Sequence, residues 1–220
     1  MALTSILGLT ACERPAQAAD DLPKPAADLP APADQTQATA VFAGGCFWCT
    51  EVVFEPLAGV TDVVSGYMGG AKETANYKAV CEGTTGHAEA IKITYDPRKI
   101  TYGQLLRVFF ATHNPTTKNR QNFDEGTQYR SAIFYANDDE KRVAQAYIKQ
   151  LDEAKAFDKP IVTTLEPIGP FYVAEDYHQD FARKNPKHGY VRQWALPKVD
   201  KVLTQFRDQV KKPGEPEPKK

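Results

Sequence analysis

The feature that most constrains this chain is a pair of glycines between a short apolar run and a segment with helical spacing, Gly44-Gly45-Cys46-Phe47-Trp48-Cys49. The apolar run at residues 40–43 favours a β-strand, and two glycines allow the sharp backbone turn that a strand-to-helix junction requires. We therefore expect a helix over residues 47–54, with Cys46 at its N-terminus.

That position predicts a reactive thiol. The unpaired N–H groups and the positive dipole end of a helix stabilise a thiolate, so we expect the pKa of Cys46 to fall and its sulfur to become nucleophilic near neutral pH. Cys49 follows one helical turn later on the same face, where its sulfur can attack an oxidised form of Cys46. The pair is interpreted as a nucleophile and its resolving cysteine.

A second informative stretch is a period-two strand over residues 87–95, in which one polar group shares a face with large apolar side chains. Glu89 points the way that Ile91, Ile93 and Tyr95 point. A carboxyl group in such a place loses hydration, which raises its pKa and leaves an acid able to donate a proton near neutrality. The alternative is a glutamate in water at the rim of the strand.

Composition divides the chain into a leader, one domain and a tail. Of its 220 residues, about the first 37 are Ala, Pro, Asp and Gln with almost no large apolar side chain after Leu9, and this stretch is predicted to be a disordered linker. Residues 38–210 suffice for one core, and residues 211–220 alternate charges with helix breakers. The net charge of −1 has mixed signs along the chain, which predicts no nucleic-acid partner.

The leader carries a possible export signal. Leu9-Thr10-Ala11-Cys12 resembles the lipobox of a bacterial lipoprotein, in which Cys12 would be lipidated, and Ala16-Gln17-Ala18 offers a second cleavage site. We therefore expect a periplasmic protein or a lipoprotein tethered to a membrane. The alternative is a low-complexity extension of a cytoplasmic enzyme. No other stretch is long and apolar enough to span a bilayer.

If Cys12 carries a lipid, three cysteines remain in the domain: Cys46, Cys49 and Cys81. An odd number argues against a structural disulfide framework, and Cys81 is expected to be a buried small apolar residue. Cys46, Cys49 and Cys81 could bind zinc together with His87, but the spacing lacks a second closely spaced pair. No glycine-rich phosphate loop is found, so neither a metal nor a nucleotide cofactor is expected.

The remaining pattern alternates strands and helices. Strands are predicted at residues 60–67, 132–135 and 161–165, and helices at residues 102–113, 138–152 and 199–210, with Thr101 and Asp138 as N-caps. His178, in an irregular loop, is expected to be a hydrogen-bonded structural group. These elements indicate an α/β sandwich of one sheet with helices against it.

Three motifs together resemble the A-class peptide methionine sulfoxide reductases: Gly45-Cys46-Phe47-Trp48, Gly86-His87-Ala88-Glu89-Ala90 and Gly126-Thr127-Gln128-Tyr129-Arg130-Ser131. They occur in the family's order, and the likeness runs from about Ala40 to Asn185. The resemblance implies a ferredoxin-like α+β plait with a mixed sheet. It also implies reduction of methionine-S-sulfoxide, free or in proteins, through a cysteine sulfenic acid.

The resemblance assigns roles to matching positions. Cys46 would attack the sulfoxide sulfur, and Glu89 would protonate or polarise the departing oxygen. Tyr77 and Tyr129 would hydrogen-bond that oxygen with Asp124 beside them. Phe47 and Trp48 would hold the substrate methyl group, although ordinary core packing would also explain either ring. A thioredoxin-like donor is the implied reductant, and we expect a monomer.

The chain departs from the family pattern in two places. It has no cysteine after Cys81, whereas many members carry resolving cysteines in a C-terminal tail, so Cys49 is the best candidate for closing a disulfide on Cys46. Phe123 stands where the family usually shows asparagine. Two other functions stay open: a thioredoxin-like disulfide oxidoreductase that uses only the Cys46/Cys49 pair, and a zinc-clipped binding domain.

Overall fold

The computed structural model describes residues 22–212 and 214. Its strands are β1 Ala38–Gly44, β2 Val60–Met68, β3 Ala88–Tyr95, β4 Arg120–Gln121, β5 Asp124–Glu125, β6 Ser131–Tyr135, β7 Thr164–Pro167 and β8 Tyr172–Val173. Its α-helices are α1 Phe47–Phe54, α2 Tyr77–Cys81, α3 Tyr102–Thr112, α4 Asp138–Glu153, α5 Phe181–Lys184 and α6 Leu196–Gln205. A π-helical turn, Val191–Ala195, leads directly into α6.

Six strands form one sheet in the order β7-β6-β1-β3-β2-β8, and β4 pairs with β5 in a separate hairpin. All pairings in the large sheet are antiparallel except that of β6 with β7, so the sheet is mixed. Within it, β1-α1-β2-β3-α3-β6 gives the spatial order 4-1-3-2 of a ferredoxin-like plait. The α+β expectation is confirmed.

The two faces of the sheet are covered unequally. Phe42, Ile91 and Ile93 belong to the main core, where α1, α3 and α4 pack. The opposite face carries a smaller cluster that includes Val41, Ala90 and Phe134. Since β3 directs alternate residues to each face, Glu89 lies on the same side as Ile91 and Ile93. The face predicted for this carboxyl group is therefore correct.

The predicted linker is ordered in part, which corrects the expectation that residues 1–37 are disordered. Residues 22–37 contain no helix or strand. Leu22 is nevertheless buried, and Asp28 accepts a 2.8 Å hydrogen bond from the Gly103 N–H of α3. Arg107 and Tyr147 donate to the carbonyls of Leu22 and Pro23 at 2.8 and 2.9 Å. These backbone and capping contacts do not depend on apolar composition, so composition did not predict them.

Several boundaries differ from the predictions. Thr101 caps α3 in a full capping box as expected, but Asn137 rather than Asp138 caps α4 because its side chain accepts from Glu140 N–H. The strand expected at residues 161–165 is Thr164–Pro167, and the last helix begins at Leu196 instead of Val199. Lys211, assigned to the tail, donates its N–H to Pro56 O at 2.8 Å. Cys12 and residues 213 and 215–220 lie outside the described residues.

Among residues 22–212 and 214, none of the helices has the length and apolar character needed to cross a bilayer.

Candidate active site

The junction between β1 and α1 places Cys46 at the N-cap of the helix, as the two glycines predicted. Gly45 has φ +93°, and a Cβ atom there would lie 2.4 Å from Cγ of Gln121, so only glycine fits without rearrangement. The Cys46 carbonyl accepts the N–H groups of Cys49 and Thr50 at 3.1 and 3.2 Å. Cys46 is half-buried and Cys49 is buried.

Glu89 is buried behind this N-terminus. Its Oε2 accepts a 3.0 Å hydrogen bond from the N–H of Phe47, the first residue of α1. Burial raises the pKa of Glu89 to about 8, although the bond from Phe47 acts in the opposite direction. The carboxyl group is therefore mostly protonated near neutral pH. The alternative interpretation, a glutamate in water at the strand's rim, is wrong.

The expected thiolate at Cys46 is corrected. The Cys46 side chain caps no N–H of α1, and the Phe47 N–H is directed to Glu89 instead. Burial, the hydrogen bond with Cys49 and the nearby Glu89 charge hold the pKa of Cys46 well above its ordinary value. The hydrogen bond from Cys46, aided by the Lys198 charge, lowers the pKa of Cys49 to about 7. The Cys46 thiol therefore keeps its proton near neutral pH.

Two aromatic residues after Cys46 take different positions. Phe47 is fully buried, with its ring centroid 4.9 Å from that of His178. Trp48 is half-buried and stacks on Phe181 at 3.7 Å, while its indole N–H donates to Nδ1 of His178 at 3.0 Å. Trp48 can present a ring edge or face to a small ligand, whereas Phe47 supports the site from within the core.

The remaining predicted residues border the same place. Tyr77 begins α2 and packs its ring 4.5 Å from that of His178. Burial, together with the charges of Glu89 and Cys46, raises the pKa of Tyr129. Asp124 is half-buried, accepts a hydrogen bond from the Tyr190 hydroxyl, and has its pKa raised by burial. The fold thus gathers two thiols, two acids and two tyrosines in one region of the molecule.

The sequence profile described as peptide methionine sulfoxide reductase matches residues 38–211. A protein named peptide methionine sulfoxide reductase MsrA 2 from Synechocystis is 50% identical over 193 residues, covering 86% of this chain and 90% of that protein. Another, from Mesorhizobium japonicum, is 57% identical over 169 residues, covering 76% of this chain and 87% of its own. This chain belongs to the peptide methionine sulfoxide reductase family.

Solved structures agree with this membership and with the enzyme class, an oxidoreductase. The reduced form of Mxr1 from Saccharomyces cerevisiae superposes with a TM-score of 0.64 at 35% identity, covering 70% of this chain and 89% of that one. Methionine sulfoxide reductase A of Corynebacterium diphtheriae gives a TM-score of 0.62 at 29% identity, covering 80% of this chain and 87% of its own.

One side chain of the site, Tyr190, is not marked by any pattern in the sequence. The Tyr190 hydroxyl donates to Asp124 and lies near both cysteines, where its influence lowers the pKa of each thiol. Its ring centroid lies 6.0 Å from that of Trp48, edge to face. Tyr190 follows an irregular stretch far along the chain, where no periodic pattern marks a functional residue, so only tertiary contact identifies it.

A second missed residue is Glu175, which holds the tyrosine side of the site. Its carboxylate accepts the Tyr67 hydroxyl at 2.8 Å and the Tyr77 N–H at 2.9 Å. His178 lies beside it, buried, and burial lowers the pKa of this imidazole. A neutral His178 that accepts the Trp48 indole N–H is the hydrogen-bonded structural group that the sequence suggested.

Cys81 contradicts its expected burial. It is exposed at the end of α2, a five-residue helix that buries only Val80. Its thiol lies near the Tyr77 hydroxyl, whose pKa burial and Cys81 both raise. Because α2 is little more than one turn long, it buries Val80 and leaves Cys81 exposed to solvent.

The proposed zinc ligands are not brought together. In the part of the chain that the structure describes, three or more His, Cys, Asp or Glu side chains are close enough to share an ion at Glu51, Glu55 and Asp180 only. His87 is committed elsewhere, because Nδ1 accepts from Gly70 N–H at 3.2 Å and Nε2 donates to Ala71 O at 2.9 Å. The zinc-clip hypothesis therefore lacks a four-ligand site in this region.

Proposed function

We propose that this protein reduces methionine-S-sulfoxide, in proteins and free, by the combined action of Cys46, Glu89 and Cys49. The observation that carries the proposal is the buried Glu89 carboxyl, which is tied to the first N–H of the helix that Cys46 caps. A group with a pKa of about 8 holds its proton at neutral pH yet can release it to an oxygen that becomes negative.

In the first step, the Cys46 sulfur attacks the sulfoxide sulfur while Glu89 delivers a proton to the sulfoxide oxygen. The S–O bond to the substrate breaks, the oxygen is transferred to Cys46 as a sulfenic acid, and methionine leaves as the reduced sulfide. The proton lost by the Cys46 thiol returns to the Glu89 carboxylate, so the step consumes no external proton. This route suits a site in which burial keeps the pKa of Cys46 high.

The surrounding groups stabilise the polarised S–O bond. The Tyr77 and Tyr129 hydroxyls are donors whose pKa values are raised by burial, so both keep their protons. Donors fixed where negative charge develops lower the barrier without reorganisation. Asp124 positions Tyr190 beside the two sulfurs, and the half-buried Trp48 ring, supported by Phe47, takes the S-methyl group.

In the second step, the Cys49 sulfur attacks the sulfur of the Cys46 sulfenic acid, a disulfide forms, and the hydroxyl leaves as water after protonation. Cys49 suits this role because its pKa is lowered to about 7 and its thiolate fraction is therefore substantial at neutral pH. A dithiol of the thioredoxin type then reduces the disulfide by two electrons, which returns both cysteines to thiols.

The test separates the two steps with Cys49→Ser. Without reductant, this variant should release about one equivalent of methionine per enzyme and keep a sulfenic acid that mass spectrometry detects after dimedone labelling. Cys81→Ser is the matched control and should turn over fully with thioredoxin. Full turnover of Cys49→Ser with thioredoxin would remove Cys49 as the resolving residue.

The alternative, a general disulfide oxidoreductase, uses the same two cysteines. Such an enzyme has no need of a buried proton donor beside its nucleophile or of two fixed tyrosines. Reduction of insulin disulfides without any sulfoxide turnover would favour that alternative over our proposal.

Export remains a separate part of the proposal. The lipobox-like sequence ending at Cys12, followed by an Ala/Pro-rich stretch, supports a periplasmic or membrane-tethered location, where the reductant would be a thioredoxin-like protein of that compartment. Mass spectrometry of the mature N-terminus should detect a lipidated Cys12. An intact N-terminus beginning at Met1 would contradict export through this site.

A further inference from the structure

An exposed aromatic ring stands next to the proposed site. Phe123 is 79% exposed, the highest fraction among the large apolar side chains of the described residues. Its ring contacts Trp194 edge to face, with centroids 5.6 Å apart. Water-exposed aromatic surface has a free-energy cost that contact with an apolar partner removes.

The hairpin that carries Phe123 fixes the position of this ring. Asn122 and Phe123 form the two-residue loop between β4 and β5, and Asn122 adopts the left-handed conformation with φ 53°. Arg120 donates from Nε to Asn122 O at 2.8 Å across the loop. Gln121, on the same hairpin, is buried and accepts from Asn114 N–H at 3.0 Å. The ring is therefore presented on a braced turn.

The ring is also continuous with the site. Asp124, the next residue, accepts a hydrogen bond from the Tyr190 hydroxyl, and the Tyr190 ring packs edge to face against Trp48 with centroids 6.0 Å apart. Trp194 is half-buried in the π-helical turn that begins directly after Tyr190. The Asp124–Tyr190 hydrogen bond thus ties both sides of the aromatic pair to the place where the sulfoxide reacts.

We propose that the Phe123–Trp194 pair binds an apolar side chain that flanks methionine sulfoxide in an unfolded peptide, and so favours peptide over free substrate. The inference rests on the proposed function. A sulfoxide bound between Trp48 and the tyrosines places its neighbouring residues at the rim of the site, where this pair lies. Free methionine sulfoxide has no such neighbour and gains nothing from the pair.

The test compares wild type with Phe123→Asn, a substitution that a hairpin turn accepts. Three substrates are used: a blocked peptide with leucines around the sulfoxide, one with glycines there, and free methionine sulfoxide. We expect kcat/KM to fall about tenfold for the leucine peptide, the scale of losing one buried apolar contact, and less than twofold for the other two. Phe123→Tyr should retain most of the activity on the leucine peptide.

Leu203→Asn is the matched control, since Leu203 is exposed at 44% on α6, and it should leave all three substrates unchanged. Equal loss of Phe123→Asn on all substrates would overturn the proposal, because the ring would then shape the Asp124 loop. A raised KM for the thioredoxin reductant with every substrate would also overturn it, by placing the donor on this surface. If wild type reduces no sulfoxide, the proposed function itself fails.

Discussion

The two ends of helix α1 carry buried acids in opposite settings. At its N-terminus lie Cys46 and Glu89, and near its C-terminus lie Glu51 and Glu55 against Asp180. Burial raises the pKa of Glu89 and of Glu55 to about 8 in both places. Similar pKa values therefore do not distinguish a reactive site from a structural one.

The surroundings distinguish them. Asp180 accepts ion pairs from Arg183 at 2.8 Å and Lys184 at 3.2 Å, and its own N–H donates to both Glu51 oxygens at 3.0 and 3.2 Å. Arg183 also lies 3.7 Å from Glu55, so acids and cations are paired in this group, which joins α1 to α5. Glu89 instead accepts a backbone N–H and lies beside the Cys46 and Cys49 thiols, which are groups that can react.

The largest expected difference lies in catalysis. Glu89→Gln should slow sulfenic acid formation by roughly 10²–10⁴-fold, the range ascribed to general acid catalysis. Glu55→Gln makes the same chemical change at the other end of α1 and should stay within about twofold, because Glu55 touches no proposed reacting group. Single-turnover release of methionine measures both. An equal loss of rate in the two variants would show that the acids at the two ends of α1 do not differ in their role.

A smaller effect concerns stability. Arg183→Ala removes a 2.8 Å partner from the buried Asp180 carboxylate and should lower the free energy of unfolding by about 1–3 kcal/mol. Arg142→Ala, which breaks an exposed pair with Asp139 at 2.9 Å, should cost less than about 1 kcal/mol. Urea unfolding of both variants gives the comparison. Matching losses would show that the buried ion pair adds nothing beyond an exposed one.

The last comparison is the pH dependence of stability. Glu55 has a pKa of about 8 in the fold, above its ordinary value of 4.5, so between these values the folded state keeps a proton that the unfolded state has lost. Stability from this group is present at low pH and declines as pH rises toward 8. Relative to Glu55→Gln, wild type should lose up to about 1.4 kcal/mol per pH unit between pH 5 and 8. Parallel urea-unfolding curves would contradict the raised pKa.

Much of this site could be read from local sequence. The glycine pair predicted the junction at Cys46, and the alternation of residues 88–95 predicted the buried face of Glu89. Both are short-range patterns, in which backbone freedom or strand periodicity fixes where a side chain points. Cys81 was predicted to be buried because cysteine behaves as a small apolar residue. That prediction was wrong because residue type alone does not show that the helix has only five residues.

Short-range sequence patterns did not predict the protonation state of Cys46 or the residues that reach the site from distant parts of the chain. The thiolate was expected at Cys46 from the helix dipole alone, yet Glu89 takes the first N–H of α1 and burial outweighs the dipole. Tyr190 and Glu175 enter the site from residues more than a hundred positions after β1, and no period marks them.

Local sequence determined the cysteine pair at the helix start and the buried face of Glu89, because each follows from neighbours within a few residues. The plait was implied only by the resemblance of three separate motifs to a known family. Tertiary structure decided that burial keeps Cys46 protonated, that Tyr190 lies near both cysteines, and that Leu22 and Asp28 dock on the domain. These depend on desolvation and on hydrogen bonds between distant segments, and both exist only once the chain has folded.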